Sequence, residues 1–156
     1  MSESQQPSRH THEDPTAADV SRSLQDDPVA ALNNNRSGQL DARLGVTYVE
    51  ASTQRVVARM PVEGNRQPMG LLHGGATIAL CESVASVGAF LHAASSGRVA
   101  VGMDVNATHH TSTMSGYVTA TCTPIKLGRS VTSHEVVVLD DSDRRICTAR
   151  ITCFIK

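Results

Sequence analysis

The sequence predicts an α+β domain in which one long helix lies across a single antiparallel sheet. Three observations carry that expectation. Gly74 to about Ala94 is a nearly unbroken apolar run, too long for a strand, opened by paired glycines and closed by Ser95-Ser96-Gly97. Two segments before it alternate apolar and polar residues, and four after it are enriched in β-branched residues, both marks of strands. The last four segments are joined by short turns, at Ser112 to Ser115, Leu127-Gly128 and Asp140 to Asp143. Links that short favour antiparallel neighbours over parallel crossovers. The order strand, strand, helix and four strands therefore places the helix on one face of the sheet.

At 156 residues the chain has room for one domain with a full core. The net charge of -1, from 14 Lys and Arg against 15 Asp and Glu, gives no broad basic field for nucleic acid or an anionic membrane. Any phosphate recognition must be local. Cys81, Cys122, Cys147 and Cys153 form no CxxC pair, which argues against a zinc ribbon or redox motif and for small core residues of a reduced cytosolic protein. No basic segment followed by an apolar stretch opens the chain, and no run of about 20 uninterrupted apolar residues is present. A soluble, cytoplasmic protein is expected. Two Phe, two Tyr and no Trp leave neither a base-stacking platform nor an aromatic cage.

Residues 1–38 are rich in Ser, Gln, Asp, Asn, Thr and Pro and read as a disordered or loosely docked leader, with residues 39–156 as the domain. Short helical turns are expected at Pro15 to Leu24 and Pro28 to Leu32, and His10 and His12 read as parts of a solvated tail. From Leu44, the series Leu44, Val46, Tyr48 and then Val56, Ala58, Met60 predicts two adjacent strands. Pro61 to Leu72 is a loop. The helix that follows carries apolar residues round nearly its whole circumference, so it should be buried on all sides, with a second copy of the protein covering the side the sheet leaves open. The remaining strands are expected at Arg98 to His110, Gly116 to Ile125, Ser130 to Leu139 and Arg145 to Ile155.

One carboxylate, Glu82, sits in the middle of that apolar helix. Nine residues from His73 to Glu82 turn the helix through roughly half a circle and advance it about 13 to 14 Å, so the two side chains cannot share a site within one subunit. An isologous dimer would bring one helix start opposite the partner's Glu82 and form two sites. Gly74 and Gly75 leave the first backbone N–H groups of the helix open to a ligand oxygen, and Gln67 can add an amide donor. In apolar surroundings Glu82 would act as general base or nucleophile, with Ser86 one turn on to orient a water. An exposed helix residue or half of an ion pair explains Glu82 equally well on spacing alone, and His73 fits a packing or capping role. Lys126, Gly128, Arg129 and Ser130 combine charge, open backbone and a hydroxyl suited to a nucleotide phosphate, or Leu127-Gly128-Arg129 is a plain hairpin turn with solvated charges. His109 and His110 are adjacent at a strand end and should point to opposite faces, with His109 toward a pocket; His92 and His134 read as structural or exposed. No metal or cofactor is expected.

The run QPMGLLHGGATIALCE, Gln67 to Glu82, resembles the signature of hotdog-fold acyl-CoA thioesterases of the phenylacetate-pathway and 4-hydroxybenzoyl-CoA type. The likeness continues through SVASVGAFL, VGMDVNATH, PIKLGR and DRRICTARIT, from about Leu44 to Ile155, and is nearest to the 1,4-dihydroxy-2-naphthoyl-CoA branch. The resemblance implies a central helix wrapped by a six-stranded antiparallel sheet, dimers that pair into tetramers, and an active site between subunits. It implies Glu82 as the catalytic carboxylate, Gly74 as the N–H donor to the thioester oxygen, Gln67 and His73 as polarising groups, and Ser86 as the water-positioning hydroxyl. It further implies that Gly102, His109, His110, Thr111, Ser112 and the segment Lys126 to Val131 line the acyl pocket and coenzyme A channel. Two rivals are a non-catalytic acyl-CoA binding protein on the same scaffold and a hotdog dehydratase. The second would need an Asp and His pattern that this helix lacks.

Overall fold

The computed structural model describes residues 23, 24, 26–34 and 38–156, so His10, His12 and most of the turn expected at Pro15 to Leu24 lie outside the described residues. Helix α1 spans Pro28–Asn34 and α2 spans Gln39–Leu44. They precede strands β1 (Thr47–Ala51) and β2 (Val56–Pro61), and the long helix α3 (Gly74–Ala94) follows. Four strands complete the chain: β3 (Ala100–His109), β4 (Tyr117–Leu127), β5 (Val131–Asp140) and β6 (Arg145–Ile155). All six strands form one sheet in the order β1-β2-β4-β5-β6-β3, antiparallel throughout.

Helix α1 begins where the sequence places a helical turn. Asp27 accepts a hydrogen bond from the Ala30 N–H at 3.0 Å, and Pro28 fills the first helical position, where no N–H is missed. The helix buries Ala31 and Leu32 in the main core, which Leu24 also joins. Its Asn33 amide pairs with both backbone groups of Tyr48, donating to the carbonyl at 2.9 Å and accepting from the N–H at 2.8 Å. A side chain thus stands where a neighbouring strand would.

Leu44 departs from the strand expected there: it ends α2. Gly45, at φ +71°, closes that helix in the left-handed conformation, and its N–H and that of Val46 return to the carbonyls of Ala42 and Asp41. The apparent alternation Leu44, Val46, Tyr48 crosses this break, so only its latter part belongs to β1.

Helix α3 has the expected limits. Thr77, Leu80, Cys81, Val84, Ala85, Gly88 and Ala89 are buried, most of them facing the strands, and their small size brings the helix close to the sheet. His134 on β5 packs against Gly88, where a Cβ would lie 3.4 Å from its Nε2. The helix is not buried on all sides within one chain: Glu82 is exposed, and Ala79, Ser83, Ser86 and Phe90 are only half-buried. The sheet therefore covers one side and leaves the other to something else. By length and a mean hydropathy of 1.4, α3 would also suit a membrane span, but it packs on β2 through β6 instead. All four cysteines are free and buried, as expected of small core residues. One long helix laid across a six-stranded antiparallel sheet is the hotdog arrangement.

Candidate active site

Two half-sites stand at opposite ends of β3. The first is built around the start of α3. The loop before it is fixed by its own backbone: the Gln67 N–H donates to the Leu71 carbonyl at 2.8 Å, Gly70 turns back at φ +82°, and the Leu72 N–H donates to the Thr113 carbonyl at 2.9 Å. The Met69 N–H donates to Gln67 Oε1 at 2.6 Å, which occupies the acceptor end of the amide and leaves its NH2 group as the end that can donate. Gln67, Gly74, Thr77, His109, His110 and Thr113 meet round a cavity of about 310 Å³, which Thr111 and Ser112 also border.

At the helix start, His73 is the N-cap and its Nδ1 accepts the Gly75 N–H at 2.8 Å. That bond removes the Gly75 donor and turns the His73 ring out of this cavity, toward Asn65 and Arg66 in another one. The Gly74 N–H has no acceptor among the described residues. The His109 ring lies against Gly74 so closely that a Cβ there would be 3.1 Å from Nε2. His110 follows the last residue of β3 and faces away from His109, as strand alternation predicts: its Nε2 lies 3.0 Å from Oγ1 of Thr148, which projects from the opposite face to Cys147, the residue paired with His109.

The second half-site surrounds Glu82. Its carboxylate reaches across to the beginning of β3, where a Cβ on Gly102 would lie 3.0 Å from Oε1. No ion pair within 4.0 Å holds Glu82 among the described residues. Glu82 and Ser86 line a cavity of about 450 Å³ with Ser83, Phe90, Tyr48 and Asp41. Asp41, which sequence reasoning missed, is 5% exposed and accepts from the Tyr48 hydroxyl at 2.9 Å and the Ser83 hydroxyl at 2.7 Å. Its signal was an acidic residue in a short segment, which resembles any solvated loop.

Lys126 to Val131 belongs to neither cavity. It forms the β4–β5 hairpin beside the end of α3, where His92 Nε2 lies 3.1 Å from the Gly128 carbonyl oxygen. A Cβ on Gly128 would collide with the Val131 carbonyl, so the tight turn requires glycine. Lys126 and Arg129 are exposed. The sequence-predicted residues thus fall into three places within one chain: Gln67, Gly74 and His109 to Ser112 at one end, Glu82, Ser86 and Gly102 part-way along, and the hairpin at the other end.

The four thiols are buried and shifted in different directions: a hydrogen bond with Cys81 lowers Cys147, while burial raises Cys153. Hydrogen bonding to Cys147 and burial push the Cys81 thiol far up, and burial pushes the Cys122 thiol up to about 12. Among the described residues, no three His, Cys, Asp or Glu side chains gather as metal ligands do.

Residues 69–147 match the thioesterase superfamily. The proofreading thioesterase EntH of Klebsiella pneumoniae is 42% identical over 124 residues, covering 79% of this chain and 90% of that protein. A Haemophilus influenzae thioesterase superposes with a TM-score of 0.76 at 32% identity, over 82% of this chain and 90% of that one. A Staphylococcus aureus thioesterase superposes with a TM-score of 0.73 in two variants, at 32% and 33% identity, over 76% of this chain and 99% and 98% of the two solved chains. One variant replaces a glutamine with alanine and the other a glutamate, fifteen positions apart, the spacing of Gln67 and Glu82 here.

Proposed function

Because the chain belongs to the thioesterase superfamily, we propose that it hydrolyses acyl-CoA thioesters to a free acid and coenzyme A. Its acyl group is aromatic, of the 1,4-dihydroxy-2-naphthoyl kind, with medium-chain acyl groups as the alternative. The observation that carries the reading is the position of the two half-sites on β3. Gly74 and Glu82 are eight residues apart on α3, about 12 Å along its axis, and they meet β3 towards opposite ends, at His109 and at Gly102. No thioester carbonyl spans that distance. Strand β3 is also an edge of the sheet and presents exposed Val101 and Met103. Antiparallel pairing of two copies along this edge reverses the ends, so the His109 end of one protomer meets the Gly102 end of its partner. Each dimer then holds two complete sites, and the partner's Lys126 to Val131 hairpin approaches the same end, where coenzyme A phosphates would lie.

In such a site the Gly74 N–H, at the positive end of α3, donates to the thioester oxygen as it gains charge. The Gln67 NH2 group supports it from the loop. Glu82 of the other protomer supplies the attack in one of two ways. As general base it takes a proton from water while the water oxygen bonds to the carbonyl carbon; the C–S bond then breaks and the proton passes to sulfur. As nucleophile its own oxygen bonds to the carbonyl carbon, the thiolate leaves, and water opens the resulting anhydride. Ser86, one turn along, holds the water in either case. The Gln-to-Glu spacing shared with the Staphylococcus aureus thioesterase supports pairing these two residues in one function.

Thiol release from benzoyl, naphthoyl, phenylacetyl and straight-chain CoA esters tests the reading. Glu82→Gln should lower kcat by about 10² to 10⁴ while the protein stays folded. Unchanged turnover would remove Glu82 from the mechanism, and tight ester binding by the wild type without thiol release would make the protein a binder. Label in Glu82 after a single turnover in ¹⁸O-water would establish the anhydride route with water attacking the Glu82 carbonyl carbon, since the general-base route puts all label in the free acid.

A further inference from the structure

We propose that Asp41 determines the acyl specificity of the Glu82 cavity, acting through Ser83 and Tyr48 to favour acyl groups that carry a hydroxyl donor remote from the thioester. The inference rests on the thioesterase reading above and deepens it. The cavity has two kinds of wall. Val87, Phe90, Leu40 and Leu24 give apolar sides that suit a ring or a short hydrocarbon body. Asp41, Tyr48 and Ser83 make a polar wall on the same cavity as the Glu82 carboxylate.

The direction of the hydrogen bonds gives that wall a polarity. Asp41 is buried and, as a carboxylate, only accepts. The Ser83 proton points to Asp41 Oδ1 at 2.7 Å and the Tyr48 proton to Oδ2 at 2.9 Å. With its proton committed, the Ser83 oxygen faces the cavity as an acceptor. Ser83 follows Glu82 directly in the chain and borders the same space, so an acyl group whose carbonyl lies at Glu82 passes beside it. A hydroxyl on that acyl group would donate to Ser83 Oγ. An alkyl substituent in its place would strip water from the Asp41 cluster and return no hydrogen bond. Sites built round a polar partner reject the analogue that lacks it more strongly than apolar pockets reject one extra methylene.

The alternative is that Asp41 merely fastens α2 to β1 and α3. A latch of that kind, when broken, would lower turnover of every ester alike, whereas a specificity determinant changes the ratio between them. The test is therefore kcat/KM for matched pairs of aroyl-CoA esters that differ by one ring hydroxyl or one ring methyl, in wild type, Asp41→Leu and Ser83→Ala. The wild type should prefer the hydroxylated member. Asp41→Leu should reduce that preference on the order of tenfold and raise the relative rate of the methylated member. Ser83→Ala, a substitution a helix tolerates, should reduce the preference in the same direction and answers the question if Asp41→Leu does not fold. A wild type with no preference for the hydroxylated ester, or variants that slow all esters in proportion, would overturn this proposal while leaving the thioesterase reading intact. A wild type that releases thiol from none of them would overturn both.

Discussion

His134 shows what one side chain can add to the behaviour of the whole fold. It is 1% exposed, packs against Gly88, and neither ring nitrogen has a hydrogen-bond partner among the described residues. Loss of hydration, with His92 adding a smaller repulsion, lowers its pKa from 6.5 to about 4. The unfolded chain therefore takes up this proton at a higher pH than the folded one. Above pH 6.5 the residue is neutral in both states and contributes no slope; as pH falls from 6.5 toward 4, stability is lost, by about 3 kcal/mol in total. Denaturant unfolding across this range should show that loss in the wild type and a much flatter profile in His134→Leu. Equal slopes in the two proteins would mean that His134 is hydrated or partnered in solution.

At the scale of elements, the start of α3 combines a structural and a chemical demand. Gly74→Ala adds a methyl group that meets the His109 ring at 3.1 Å, beside the N–H that would hold the thioester oxygen. Alanine is also the better helix former, by about 0.5 to 1 kcal/mol. The substitution should thus leave the melting temperature within a few degrees of wild type and lower kcat/KM on the order of a hundredfold. A large fall in melting temperature would show instead that the His109 contact is a packing requirement. The limits of α3 were legible in the sequence because a capping histidine, two glycines and Ser95-Ser96-Gly97 punctuate an otherwise uniform run, and the strands after it were legible to within two or three residues. Helix α2 was not. Its six residues are too few for a helical period to register, and Leu44 and Val46 imitate strand alternation across the turn at Gly45. Asp41 was hidden for a related reason: its partner Ser83 lies 42 positions away, and only the closed fold brings them together. His73 was legible as a neighbour of the site but not in its orientation, which depends on the cap to Gly75, whereas the opposite facing of His109 and His110 followed from strand alternation.

At the scale of the molecule, the two half-sites make a claim about subunits that mixing can test. Glu82→Gln removes one half of each site and Gln67→Ala weakens the other. In a mixed dimer, one of the two sites receives Glu82 from one chain and Gln67 from the other, and is whole. Unfolding and refolding an equimolar mixture should therefore restore about a quarter of wild-type activity, from half the dimers each with one intact site. Activity no higher than the sum of the separate variants would place both residues in one chain's site. The same geometry limits how far assembly can run. A flat sheet with two free edges is a template for endless addition, and this sheet offers its β3 edge openly. At the other edge, the Asn33 amide already occupies the N–H and carbonyl of Tyr48. With that margin occupied at Tyr48, the pairing proposed above would have the β3 edge alone to use, and strand addition would close at two copies instead of seeding a fibre.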